Sequence, residues 1–101
     1  MKQHNIFIPR GEIEAFCKKN HVRTLSLFGS VLRDDFNSES DVDVLVEFEP
    51  GHKIGFLKMA RMESELSQIF KRKVDLRTPG DLSRYFRQEV LQNAEVQYAQ
   101  R

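Results

Sequence analysis

DVDVLVEF, residues 41–48, is the stretch that decides the fold. Valines alternate with acidic or other residues at a period of two. That period places Val42, Val44, Val46 and Phe48 on one face of a strand and Asp41, Asp43, Leu45 and Glu47 on the other. Pro50-Gly51 ends it. Upstream, Val22–Phe28 reads as a second strand, rich in apolar and β-branched residues, and Gly29 breaks it. Ser30–Arg33 is short enough for one helical turn, and residues 34–40 form a polar loop. Downstream, residues 56–70 read as an amphipathic helix with Met59, Met62, Leu66, Ile69 and Phe70 on one stripe.

The remaining chain continues the alternation of helix and strand. Residues 10–20 read as a helix, with Ile13, Phe16 and Cys17 at i, i+3, i+4 and Pro9 at its start. Residues 73–77 are a short strand with Val74 and Leu76 inward. Thr78 is expected to cap the last helix, with Pro79 at its first position. Leu82, Tyr85, Phe86 and Val90 give that helix an apolar stripe, read as core in preference to a contact surface. Residues 95–101 suggest a further short strand through Val96 and Tyr98. The fold class is therefore α/β (α+β), a small sheet flanked by helices, in one domain over residues 1–101.

Composition bounds the function. Sixteen Lys and Arg against 15 Asp and Glu give a net charge of +1, so the basic excess of a dedicated nucleic-acid binder is lacking. No apolar run is long enough to span a bilayer, and the Ile6-Phe7-Ile8 patch is too short for a secretory leader. The lone cysteine, Cys17, has no partner for an internal disulfide, sits on the apolar helix stripe and reads as core packing. Together these features suggest a cytoplasmic protein.

The chemistry concentrates on three carboxylates. Asp41 and Asp43 project from one strand face with Cα atoms roughly 7 Å apart. Like charges that close need compensation, and a divalent cation supplies it. Oxygen donors favour magnesium or manganese over zinc. If strand 73–77 lies beside strand 41–48, Asp75 can face the same side, and three carboxylates can hold two metals for an in-line phosphoryl displacement. Gly29-Ser30 follows a strand directly. Its glycine admits close backbone approach, and its hydroxyl and amides suit phosphate oxygens. An Asp-X-Asp pair alone is weak, and Gly-Ser alone is ordinary turn chemistry. Gly-Ser, ten residues, Asp-X-Asp together arise by chance on the order of once in a thousand chains of this length.

Leu27-Phe28-Gly29-Ser30-Val31-Leu32-Arg33, followed by Ser40-Asp41-Val42-Asp43-Val44-Leu45-Val46, resembles the signature of the DNA polymerase β-like nucleotidyltransferases. More closely it is similar to minimal nucleotidyltransferase (MNT) domains, and the likeness continues through Glu47–Pro50, the helix at 56–70 and Lys71-Arg72-Lys73-Val74-Asp75-Leu76. The resemblance implies a mixed sheet with helices on one side. It implies that Gly29 and Ser30 contact the triphosphate of ATP, with Arg33 supporting the phosphate region. Asp41 and Asp43 would bind two magnesium ions, and Asp75 would complete the site and help activate the attacking hydroxyl. Many relatives carry glycine after the arginine; here Asp34 follows, which leaves the local turn and any role of Asp34 or Asp35 open.

Such stand-alone domains are typically encoded beside a HEPN toxin, usually an RNase, and act as its antitoxin by transferring AMP from ATP to a toxin tyrosine. The resemblance thus implies a protein adenylyltransferase with a HEPN partner and no direct nucleic-acid contact; whether it self-associates stays open. Two other readings remain: a non-catalytic antitoxin that binds and covers its toxin, and a catalytic subunit for a small-molecule acceptor. His4, His21 and His52 suggest no cluster, although His52 could approach the acidic strand; an exposed loop position is preferred. Lys71-Arg72-Lys73 reads as a solvated run at a helix C-terminus.

Overall fold

Alternation makes the sheet, and the valine face of residues 42–48 is where the helices land. The computed structural model describes residues 6–34, 36–37 and 39–100. His4 and Asp35 lie outside these, as do Ser38 and Arg101. In chain order the elements are α1 (Arg10–Lys19), β1 (Val22–Phe28), a 3-10 turn (Gly29–Leu32), β2 (Val42–Phe48), α2 (Phe56–Phe70), β3 (Val74–Arg77), a second 3-10 turn (Pro79–Asp81), α3 (Arg84–Asn93) and β4 (Glu95–Ala99). The strands form one mixed sheet in the order β3-β2-β1-β4. β1 is antiparallel to both β2 and β4, whereas β2 and β3 run parallel.

The core fills one side of the sheet. Val42, Val44 and Val46 of β2, Leu25 and Leu27 of β1, and Val74 and Leu76 of β3 are all buried. They join Ile13, Phe16 and Cys17 of α1 and Met62, Leu66 and Phe70 of α2 in a single cluster. Cys17 is fully buried, and burial pushes its thiol up to about 12, as fits a packing role rather than a reactive one.

Two local devices fix β3. Lys71 adopts a left-handed conformation (φ 56°) and closes α2, and the Arg72 N–H donates to the Ser67 carbonyl at 3.1 Å. The Val74 N–H then donates to Ser67 Oγ at 3.0 Å, and the Leu76 N–H to Glu63 Oε2 at 2.8 Å. Side chains of α2 thus satisfy two N–H groups of an edge strand, which would otherwise invite pairing with another chain.

The last helix departs from expectation twice. It begins at Arg84, not at Thr78. The Thr78 N–H and hydroxyl both donate to Asp81 Oδ2, each at 3.1 Å, and this closes a 3-10 turn instead of an α-helix. Leu82 is then extended, and Ser83 becomes the cap, its Oγ accepting from the Tyr85 N–H at 3.3 Å. Nor is the stripe core. No residue of α3 is buried; Tyr85 is 80% and Phe86 61% exposed. Amphipathic spacing reports a face, not what covers it. β4 forms as expected, as an edge strand through Val96 and Tyr98.

Candidate functional site

The parallel pairing of β2 and β3 sets the site. Asp43 and Asp75 are register partners on neighbouring strands, so both point away from the helices, opposite the face that carries Val42, Val44, Val74 and Leu76. Asp41 lies two residues before Asp43, at the entrance to β2. In the antiparallel direction Asp43 pairs with Phe28, the last residue of β1. That pairing brings the following turn, Gly29–Leu32, against the aspartates.

Gly29 is glycine for two independent reasons. Its φ of +74° is one that L side chains rarely adopt, and a Cβ there would collide with Asp43 Oδ2 while lying 3.2 Å from Asp43 Cγ. The next residue, Ser30, holds both aspartate positions. Its N–H donates to the Asp43 carboxylate, and its hydroxyl donates to the Asp41 carbonyl at 3.2 Å. Arg33 ends the same turn, its N–H donating to the Ser30 carbonyl at 2.9 Å, with its side chain exposed. The structure therefore assembles Gly29, Ser30, Asp41, Asp43 and Asp75 at one end of the sheet, with Arg33 at its margin.

Charge at this end is not balanced. Burial holds the Asp43 carboxyl above its usual range, and the neighbouring carboxylates Asp75 and Asp41 push it further; the Ser30 N–H and Arg77 oppose the shift. Lys73 Nζ lies 3.8 Å from Asp41 Oδ2, but both groups are substantially exposed and the pair contributes little. Three clustered carboxylates with only oxygen donors, one of them destabilised as an anion, are the donor set that a hard divalent cation such as magnesium satisfies.

Sequence reasoning missed the group that fixes the loop leading to Asp41. Arg72, read as part of a solvated basic run, is half-buried. Its Nη2 donates to the carbonyls of Asn37 at 2.6 Å and Ser40 at 2.8 Å, and its guanidinium lies 4.4 Å from the Phe36 ring centroid. The partners are backbone atoms more than thirty residues away, so the basic run itself carried no signal of them. Arg77 was also passed over, although alternation from Asp75 places it on the acidic face.

The histidine reading is corrected as well. His21 and His52 come together with Glu49, all three ligand atoms lying within 4.8 Å of one another. His21 precedes β1 and His52 follows β2; antiparallel pairing of Val22 with Phe48 brings those ends side by side. The same pairing puts His52 at the far end of the sheet from Asp43. A groove of about 550 Å³ along α2, lined by Phe48, Ile54, Phe56, Met59, Glu63 and Leu76 among others, contains none of Asp41, Asp43 and Asp75.

The pattern of the nucleotidyltransferase domain family matches residues 11–96. A Methanocaldococcus jannaschii protein provisionally named a protein adenylyltransferase is 32% identical over 76 residues, covering 75% of this chain and 80% of that protein. Among solved structures, one described as a minimal nucleotidyltransferase superposes with a TM-score of 0.67 at 31% identity, over 84% of this chain and 85% of that one. A second, from a complex of a tri-AMPylated Shewanella oneidensis HEPN toxin with its MNT antitoxin, superposes with a TM-score of 0.65 at 18% identity, over 90% and 70% of the two chains. At that identity the likeness is one of fold. The chain belongs to the nucleotidyltransferase domain family.

Proposed function

We propose that this protein transfers AMP from ATP to a hydroxyl of a protein partner, a tyrosine of a HEPN toxin, and thereby acts as that toxin's antitoxin. The observation that carries the reading is the register of Asp75 beside Asp43, with Gly29 closed against the same carboxylate. A phosphate-approach turn and three carboxylates meet at one point. The named activity of the jannaschii relative and the AMPylated toxin in the Shewanella complex support the acceptor class.

In this reading the turn at Gly29 admits the triphosphate close to the backbone, since no Cβ intervenes. Ser30 turns its hydroxyl from the Asp41 carbonyl to a phosphate oxygen, and Arg33 supports the phosphates from the margin. Asp41, Asp43 and Asp75 would hold two magnesium ions, which neutralise developing charge on the phosphates and acidify the attacking hydroxyl when bound. Asp75 orients that hydroxyl and takes its proton. The acceptor oxygen then bonds to the α-phosphorus, the α–β bridging bond breaks, and pyrophosphate leaves with the electron pair.

The test is incubation with the protein encoded by the neighbouring gene, ATP and magnesium, followed by intact mass spectrometry of both chains. Addition of one or more AMP units to the neighbour, absent with Asp41→Asn/Asp43→Asn protein, is the expected outcome. A stable complex without added mass would replace transfer by occlusion. The exposed Tyr85 and Phe86 of α3 favour a protein-binding face in either case.

A further inference from the structure

We propose that His21, Glu49 and His52 form a second cation site, for a zinc-class transition metal, at the end of the sheet opposite the aspartates. His21 Nδ1 lies 3.9 Å and His52 Nε2 3.8 Å from the same oxygen, Glu49 Oε1. The two imidazole rings stack with centroids 4.1 Å apart and planes 13° from parallel, so at least one ring must turn about its Cβ–Cγ bond before both in-plane lone pairs meet one cation; both side chains are exposed enough for that turn. Ligand atoms about 2.0–2.1 Å from a tetrahedral metal stand about 3.4 Å from each other. Closing the triangle on a cation shortens the two histidine–glutamate edges by about half an ångström and brings the histidine nitrogens, within 4.8 Å of each other, together by rotation of the surface rings.

The backbone around the three residues is fixed rather than loose. The Glu49 N–H donates to the His21 carbonyl at 2.9 Å, and the His52 N–H to the Glu49 carbonyl at 3.2 Å. His21 occupies the left-handed region (φ 58°), which histidine adopts more readily than most residues, directly after the end of α1. The other Glu49 oxygen, Oε2, accepts from Gln100 Nε2 at 2.7 Å. Holding Oε2 leaves Oε1 directed at the histidines, which is the work of an outer hydrogen bond around a metal ligand.

Two imidazoles and one carboxylate select a different cation from the aspartate end. Imidazole nitrogen suits zinc, cobalt and nickel, whereas magnesium takes oxygen donors. A cation here would tie the α1–β1 turn to the segment after β2, and through Gln100 to the end of β4, whose Gln100 N–H already donates to the Arg23 carbonyl at 2.8 Å. Binding to the folded state alone would raise its stability by mass action.

The experiment is a calorimetric zinc titration of the tag-free full chain, stripped of metal and held in excess magnesium, with cobalt absorption spectra as a second readout. Expected is one zinc per chain, with ligand-field bands of a cobalt ion bound by nitrogen and oxygen. Affinity should fall roughly tenfold or more in His52→Ala and in His21→Asn, and by about tenfold in Gln100→Ala, which removes only an outer contact. Asparagine is chosen at 21 because it tolerates the left-handed backbone. Asp43→Asn should bind zinc as the parent does. Absence of zinc binding in the parent, or binding that survives both histidine variants or disappears in Asp43→Asn, would overturn the site; circular dichroism of each variant separates lost ligands from lost fold.

Discussion

The two faces of the sheet are made from the same strands and obey opposite rules. On the helix side, Val42, Val44, Val46, Val74 and Leu76 are at most 8% exposed and join one apolar cluster. On the other side, one residue along in each case, Asp43 and Asp75 sit abreast and half-buried, with Asp41 beside them. The first face gathers favourable burial. The second concentrates like charge where water is partly excluded, and it is stable only because the first face can support it. Residues at such a position are selected for what they hold, not for what they contribute to folding.

The largest effect expected from breaking this contrast is functional. Asp43→Asn should lower AMP transfer by about 10³-fold or more, as when a preorganised electrostatic group is removed, measured as initial rate with saturating ATP and magnesium. The same variant should be more stable than the parent in EDTA. The Asp43 pKa is raised in the fold above its ordinary 3.8, so folding stability is lost as pH climbs from 3.8 through the raised value. Above that window the parent carries the penalty and the asparagine does not. A higher melting temperature than the parent's at pH 8 is expected, and added magnesium should reverse the order by stabilising the parent alone. Equal or lower stability in EDTA would show that the acidic face is not under electrostatic stress.

The other face should answer in the opposite way. Leu66 is fully buried in the cluster beneath the sheet. Leu66→Ala should cost about 2–5 kcal/mol of unfolding free energy, by urea titration, while the transfer rate per folded molecule stays near that of the parent. A rate loss comparable to that of Asp43→Asn in the fully folded fraction would mean that the two faces are not separable.

Much of this division was legible in the sequence. The strict alternation of residues 41–48 fixes both faces of β2 without any tertiary knowledge, and α2 matches its expected span, Phe56–Phe70. Asp75 needed one conditional, that strands 41–48 and 73–77 be neighbours, and their register supplies it. Three things were not legible, each for the same physical reason. Arg72 donates to carbonyls of a distant loop, His21 meets His52 across an antiparallel pair, and α3 lacks a covering layer. All three depend on what lies across space from a residue, and periodicity along the chain contains no such information. The Thr78 misreading is different: its capping chemistry is real, but Asp81 captures it for a 3-10 turn.

Arg72 sharpens the contrast at an intermediate scale, because it belongs to neither face and yet supports one. Arg72→Ala removes two hydrogen bonds to the loop ending at Ser40, just before Asp41. Charged donors of this kind contribute about 1.5–3 kcal/mol each in favourable settings, and part of that should appear as misplacement of Asp41. The expected result is a roughly tenfold slower transfer, equivalent to about 1.4 kcal/mol. Arg72→Lys should restore little, since a compact ammonium lacks the planar guanidinium that lies over Phe36 and holds Nη2 at the two carbonyls. Full rescue by lysine would reduce Arg72 to a surface charge.

The smallest expected effect concerns α3, which resembles α2 in its amphipathic pattern and differs in burial. α2 places Met62, Leu66 and Phe70 in the core; α3 places none of its residues there and leaves Tyr85 and Phe86 to solvent. Phe86→Ala should therefore change unfolding free energy by less than about 0.5 kcal/mol, as for other surface positions, by the same urea titration. Stability and association should separate at this residue. If α3 serves as a partner-binding face, the affinity of the Phe86→Ala protein for the protein encoded by the neighbouring gene should drop while its unfolding curve overlays the parent's. A destabilisation of 2 kcal/mol or more would instead place Phe86 among core positions, and α3 would then differ from α2 only in degree.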